Sequence, residues 1–156
     1  MNTEPRDIVA KLKRLADEHF RVLWLAGGTS ADRSKLLQAA AALADAPFLN
    51  LGKTLSSALL DIQPKLRPSS AEDCFHDLLR PGAGEIRCLD RVDILFDQPL
   101  MLDAVGLIRN ASRRFLILAS WPGTCSGETL SYAPSEHPSH IQIHARESDC
   151  HFYHIS

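Results

Sequence analysis

The chain has 156 residues, which is enough for one domain with a buried core but too few for a large core that carries a second domain. Its 17 Lys and Arg and 19 Asp and Glu residues give a net charge of −2 and are scattered, so no basic stripe indicates nucleic-acid binding. The apolar runs are short, the start is charged and amphipathic, and the four cysteines form no C-x-x-C pair. We therefore expect a cytoplasmic protein with a single domain, residues 1–156, whose thiols are free.

The first part of the chain predicts a helix, a strand and a second helix. Residues 5–19 place apolar side chains near helical spacing, with Thr3 as the cap. Residues 21–25 are almost continuously apolar, which is typical of a parallel strand covered on both faces. An Ala-rich helix follows over about 33–45. The side chains expected to face inward from it are Leu36, Leu37, Ala40 and Leu43.

The rest of the chain continues with strand and helix patterns. The middle ranges are strand 48–51, helix 53–60, a Pro- and Ser-containing loop 63–70, helix 71–79 and strand 85–89. The later ranges are short helix 91–96, helix 98–110, strand 115–120, and a loop-rich segment 124–156 with a final strand 141–144 and a candidate partner strand 151–155. This order predicts an α/β three-layer fold with a mainly parallel five-stranded sheet, in which the first strand is central and lies beside the strand ending at Ser120.

The stretch 20–37 has the strand, loop and helix order of a P-loop nucleotide-binding protein. The pattern G-x-x-x-x-G-K-[ST] maps onto Gly27, then Asp32 at the second glycine, Arg33 at the lysine and Ser34. Asp32 adds a Cβ and a negative charge to a phosphate cradle, and the Arg33 fork differs in shape from an ammonium group. The stretch therefore predicts either a degenerate site for ATP or ADP with Mg, with weak or absent hydrolysis, or an ordinary strand-to-helix connection. The predicted cofactor-binding residues are Gly27, Gly28, Thr29, Asp32, Arg33, Ser34 and Ser120.

An acid ends the third predicted strand, where P-loop proteins hold the metal ion. Asp90 is the candidate to hold Mg²⁺ through water, together with the Ser34 hydroxyl. Arg91 stands where a catalytic carboxylate is expected, so Asp93 is the nearest acid that could orient a water. The alternative is that Asp90 caps the following short helix. Ser120, at the end of the next strand, is placed to sense a γ phosphate.

Two further groups of residues have open interpretations. Arg113 and Arg114 precede a strand and are either arginine fingers toward a neighbouring subunit or solvated turn residues.

Five histidines and a cysteine near the end of the chain can be drawn as a zinc site, although their spacing favours it only weakly. They are His137, His140, His144, Cys150, His151 and His154. A half-exposed strand explains His140 and His144 equally well.

Several segments together resemble the BrxF family of small P-loop proteins from BREX bacteriophage-defence systems. The segments are LAGGTSADRSKLL, FLNLGKTLSSALL, LDRVDILFDQPLMLDAVGLIRNASR, FLILASWPG and LSYAPSEHP, which span most of residues 25–138. The resemblance implies a cytosolic component that acts with other BREX proteins, including a methyltransferase, a phosphatase-like protein and a large ATPase. Gly27, Arg33 and Ser34 stand where that family has its phosphate loop, and Asp90 and Asp93 stand in its acidic block. The family normally has glycine and lysine at the positions of Asp32 and Arg33.

Three classes of function follow as expectations. The first is an accessory BREX component that acts as a nucleotide-dependent regulatory or assembly subunit. The second is a scaffold for other BREX proteins that binds no nucleotide. The third is a DNA-binding adaptor, which the net charge favours least. The oligomeric state is left open.

Overall fold

The computed structural model describes residues 4–133, 140–144 and 151–155. Its strands, in chain order, are β1 Val22–Ala26, β2 Phe48–Asn50, β3 Ile86–Asp90, β4 Leu116–Ser120, β5 Thr124–Ser126, β6 Thr129–Tyr132, β7 Ile141–His144 and β8 His151–His154. Its α-helices are α1 Pro5–Lys13, α2 Ser30–Ala44, α3 Leu51–Leu60, α4 Arg67–Leu79 and α5 Ala104–Ala111. Short 3₁₀ helices cover Pro64–Leu66, Val92–Phe96 and Gln98–Leu100.

The main sheet has five parallel strands in the order β2-β3-β4-β1-β8. Successive residues of β1 point to opposite faces, and both faces are covered because Val22 and Trp24 join one core cluster whereas Leu23 and Leu25 join the other. Helices α1 and α2 contribute to the second cluster, and α3, α4 and α5 contribute to the first. The predicted α/β fold with a mainly parallel five-stranded sheet is confirmed.

Two predictions about the sheet need correction. β1 is an interior strand that pairs with β4 and β8, but β4 occupies the middle position. The predicted final strand 141–144 lies outside the main sheet, because β7 pairs antiparallel with β6 in a separate sheet of order β5-β6-β7. The fifth parallel strand is β8, which had been expected to pair with β7. Ile143 of β7 is buried, which is typical of an antiparallel sheet that packs one of its faces on the core.

Helix boundaries differ from prediction where a cap or a break intervenes. α2 begins three residues early because Thr29 caps it, and α4 begins at Arg67, inside the predicted loop 63–70, with a proline in its first turn.

The predicted helix 98–110 is broken, since Met101 has φ +55° and Asp103 caps a new helix. α1 ends at Lys13 rather than 19, and its N-cap position is Glu4, whereas Thr3 lies outside the described residues. The predicted short helix 91–96 is the 3₁₀ helix Val92–Phe96.

Several side chains and sequence features are also placed by the fold. Leu43 is 58% exposed, so its predicted inward orientation is wrong, whereas Leu37 and Ala40 are buried. Cys74, Cys88 and Cys125 are free thiols, as expected, and burial raises the pKa of Cys88 to about 12. Within the described ranges, no helix combines the length and the apolar character needed to cross a bilayer.

Candidate functional site

The predicted site residues meet at the carboxyl edge of the main sheet. β1 ends just before Gly27, β3 ends at Asp90 and β4 ends at Ser120, and the three strands are parallel neighbours in the order β3-β4-β1. After β1 the chain runs to β2, at one end of the sheet. After β4 it runs in the opposite direction, to β8 at the other end of the sheet. Such a reversal opens a crevice outside the strand ends, which is where open α/β sheets bind ligands.

Arg33 fills the centre of this edge. Its side chain is held in three directions, because Nη1 donates to the carbonyls of Gly27 (2.8 Å) and Gly28 (3.1 Å) and Nε donates to Ser120 Oγ (3.2 Å). Only 7% of the residue is exposed. Burial lowers the pKa of Arg33, and the negative charge of nearby Asp90 opposes that change. The guanidinium stays charged, because arginine is not deprotonated in proteins. The loop thus turns two carbonyl oxygens toward a cation of its own chain.

Asp32 belongs to the cap of α2. Thr29 Oγ1 accepts from the Asp32 N–H (3.0 Å), and Asp32 Oδ2 accepts from the Thr29 N–H (3.1 Å), which together form a capping box. The hydrogen bonds from Thr29 lower the pKa of Asp32. Two N–H groups that a bound phosphate would use are therefore occupied, and a carboxylate already neutralises the positive end of the helix dipole.

Ser34 and Asp90, the two predicted magnesium residues, form a direct hydrogen bond. Ser34 Oγ donates to Asp90 Oδ2 at 2.6 Å, and the other carboxylate oxygen accepts from the Arg91 N–H at 3.0 Å. Asp90 is 4% exposed. The alternative role of Asp90 as a helix cap is not observed, because the 3₁₀ helix starts after Arg91, which has φ +54°, and it has no side-chain cap bond.

A polar cavity of about 190 Å³ opens beside these residues. Among the side chains that line it are Arg33, Asp90, Arg91, Asp93, Ser120 and Tyr132. Asp93 is exposed on this cavity, and within the described residues no hydrogen bond joins it to Ser34 or Asp90. Burial raises the pKa of Tyr132, and the charge of Asp93 adds to that effect. Sequence reasoning missed Tyr132, since β6 belongs to the second sheet and no local motif links it to the loop.

The two glycines of the loop are explained by packing as well as by conformation. Gly27 and Gly28 have φ values of +86° and +59°, which glycine adopts without strain. A Cβ on Gly27 would lie 2.7 Å from the carbonyl oxygen of Ile155, and one on Gly28 would lie 2.8 Å from Ile155 Cδ1. The residue that follows β8 thus packs directly on the loop, and its N–H donates to Ala26 O at 2.8 Å.

The residues present fit only part of a magnesium nucleotide. A serine hydroxyl and a buried aspartate in contact match the pair that holds Mg²⁺ in P-loop proteins. The phosphate cradle does not fit, because its donors bind Asp32 and Thr29, and its cation binds the loop carbonyls. The cavity volume of about 190 Å³ is also below the roughly 300–1,000 Å³ of usual ligand pockets.

The remaining candidates lie elsewhere. Arg113 and Arg114 precede β4 and so lie at the opposite, amino edge of the sheet. His144 Nδ1 pairs with Thr129 Oγ1 (3.0 Å) and His140 Nδ1 with the Ala133 carbonyl (2.9 Å). His137 and Cys150 lie outside the described residues. Within the ranges that the structure describes, no group of three or more His, Cys, Asp or Glu side chains is arranged to hold a metal ion.

Comparisons with known proteins identify no relative. No protein-family model matches the chain, and no curated protein and no solved structure matches it either. The site must therefore be interpreted from its own residues and geometry.

Proposed function

We propose that this chain is an assembly subunit of a BREX bacteriophage-defence complex, built on a P-loop-like fold whose phosphate position is filled by its own arginine. The BREX assignment is supported by the five sequence segments that resemble the BrxF family. The P-loop-like fold is supported by the strand, loop and helix order and by the contact of Ser34 with Asp90 across two strand ends.

The observation that carries the assembly role is the set of three hydrogen bonds made by Arg33. In a working phosphate loop, backbone N–H groups and the cation point at the ligand. Here the cation bonds to Gly27, Gly28 and Ser120. A nucleotide would have to break these bonds and bring its negative phosphates next to Asp32. Both changes cost free energy, so we infer that the domain acts without a bound nucleotide.

Co-purification from cells that carry the whole defence island tests this function. The tagged chain should retain the same defence proteins, among them the large ATPase, whether or not the lysate is first depleted of nucleotides with apyrase. Ser34→Ala, which removes the hydroxyl of the magnesium pair, should not change the set of partners. Failure to recover any defence protein would overturn the assembly role, and partners that are lost on nucleotide depletion would overturn its independence from nucleotide.

A second candidate function is a nucleotide-dependent regulatory subunit, which the 2.6 Å contact of Ser34 with Asp90 favours. Calorimetry with Mg-ATP and Mg-ADP, on the wild type and on Asp32→Gly with Arg33→Lys, separates the two functions. Assembly without nucleotide predicts no binding in either folded protein. A regulatory site predicts binding that tightens on the order of 5- to 150-fold in the double variant, since charge-assisted contacts to phosphates have energies of that size.

A further inference from the structure

The amino edge of the main sheet gathers four arginines that are far apart in the sequence. Arg21 precedes β1 and donates from Nε to the Ser112 carbonyl (3.0 Å) and from Nη2 to the Arg113 carbonyl (3.1 Å). The guanidinium carbon of Arg109 lies 4.2 Å from the centre of the Phe20 ring. Arg114 follows in the same turn before β4. We name the surface formed by residues 19–21, Arg109, Arg113 and Arg114 the arginine edge.

Most of the charge on the arginine edge is available to a partner. Arg113 and Arg114 are exposed, and within the described part of the chain no hydrogen bond or ion pair involves their side chains. The guanidinium of Arg109 lies over the Phe20 ring, and its N–H groups, which point outward in the guanidinium plane, remain able to donate. Among the described residues, these arginines make one ion pair, in which Arg21 Nη1 lies 4.0 Å from Glu85 Oε2.

Aromatic groups lie beside these cations. The exposed His19 ring packs edge to face against Phe20, with ring centres 4.5 Å apart and an interplanar angle of 68°. Positive charge next to an aromatic ring is the combination that binds single-stranded nucleic acid, since the cations contact phosphates and a base stacks on the ring. An acidic protein surface would use the charge but not the aromatic pair.

We propose that the arginine edge binds the phosphate backbone of nucleic acid, with a preference for single strands. Asp32, Asp90 and Asp93 belong to the opposite edge, whereas the amino edge carries Asp17, Glu18 and Glu85 beside the four arginines, an excess of one positive charge. Guanidinium forks match phosphate oxygens in pairs, which favours Arg109, Arg113 and Arg114 as the contacts. The site is separate from the Arg33 loop and does not depend on the proposed assembly role.

Fluorescence anisotropy with a labelled 20-nucleotide single strand, and with the matching duplex, tests the proposal on the full chain. Three phosphate contacts predict that affinity falls about 20- to 40-fold between 50 and 200 mM salt. Arg113→Glu with Arg114→Glu should abolish binding at 50 mM salt. His19→Ala should weaken binding of the single strand more than binding of the duplex. Circular dichroism checks that each variant is folded.

The matched control is Arg6→Glu with Lys65→Glu, which makes the same change in net charge at two exposed positions outside the arginine edge. This control should bind nucleic acid as the wild type does. Equal loss in both double variants would overturn the site, because net charge alone would then explain the binding. Absence of wild-type binding at 50 mM salt would also overturn it. Displacement of the strand by polyglutamate at equal charge concentration would assign the surface to an acidic protein instead.

Discussion

Arg33 has a structural role that its position in the loop motif conceals. The carbonyl groups of Gly27 and Gly28 and the hydroxyl of Ser120 all accept hydrogen bonds from one guanidinium, which links the ends of β1 and β4. Buried polar groups that lose their partner cost free energy, because no water replaces the lost bond. Arg33 is therefore expected to stabilise the fold as well as to block the phosphate position.

Replacing Arg33 with alanine should lower the free energy of unfolding by about 2–4 kcal/mol, since it leaves the carbonyls of Gly27 and Gly28 and the hydroxyl of Ser120 without their donor. Urea denaturation followed by circular dichroism measures the change. Lys35→Ala is the matched control, because it removes an exposed cation from the same helix and should change stability by less than about 0.5 kcal/mol. Equal effects at both positions would contradict a structural role for the guanidinium.

The cap formed by Asp32 predicts a dependence of stability on pH. The pKa of Asp32 in the folded protein is below its ordinary value because Thr29 donates to its carboxylate. An acid with a lowered folded pKa stabilises the protein above its unfolded pKa, and that contribution is lost as the pH falls through the folded pKa. Asp32→Ala should therefore be less stable than the wild type at neutral pH, and the difference should decrease as the pH falls below the ordinary Asp pKa of about 3.9. A difference that does not change with pH would contradict a charged cap.

At the scale of elements, α5 depends on a contact between its cap and a glycine. Asp103 Oδ1 accepts from the Gly106 N–H at 3.1 Å, and a Cβ at Gly106 would collide with the same carboxyl group. The N-cap interaction is what starts a new helix after the break at Met101. Glycine at the third helical position is thus required by the cap, although it weakens the helix by itself.

A double-mutant cycle separates these two effects. Gly106→Ala in the wild type should change stability little, because the gain in helix propensity of about 1 kcal/mol offsets the disturbed cap. The same substitution in the Asp103→Ala background should stabilise the protein by about 0.5–1 kcal/mol, since no cap remains to be disturbed. Thermal or urea unfolding of the four proteins gives the coupling energy. Equal effects of Gly106→Ala in both backgrounds would show that the contact has no energetic consequence.

Elements with a strong local signal were predicted well, and elements defined by distant contacts were not. β1 is apolar throughout, β4 is apolar up to Ser120, and every residue of both strands is buried, so their type and pairing followed from the sequence. β7 and β8 are four-residue strands, and only pairing with distant strands assigns them to different sheets. The order of strands and loops predicted that Ser34 and Asp90 share a site, and the structure adds the direct hydrogen bond between them. The Arg33 bonds were not, because the direction of a loop carbonyl is set by φ and ψ rather than by residue type.

At the scale of the whole molecule, the second sheet is joined to the main sheet through the residues after β4. Trp121 is fully buried, packs edge to face on Trp24 with ring centres 5.1 Å apart, and donates from Nε1 to the Ser131 carbonyl at 3.1 Å. Leu130 and Ile143 of the second sheet belong to the same core cluster as both tryptophans and the buried residues of α3 and α4. The two sheets are therefore expected to unfold in a single transition.

Gly123 ends the connection from β4 to the second sheet and lies directly before β5, where a Cβ would collide with the backbone carbonyl of Ser131 in the neighbouring strand β6. Backbone atoms cannot move aside as a flexible side chain does, so Gly123→Ala should lower the free energy of unfolding by about 2–3 kcal/mol through overpacking. Gly127→Ala is the matched control in the adjacent turn: its Cβ would meet open space, and only the left-handed φ of +58° is unfavourable, at about 1 kcal/mol. Urea unfolding followed by both tryptophan fluorescence and circular dichroism measures each change. A smaller loss for Gly123→Ala than for Gly127→Ala would mean that the connection 121–123 can move away from β6 at little cost, which would contradict its close packing against the second sheet.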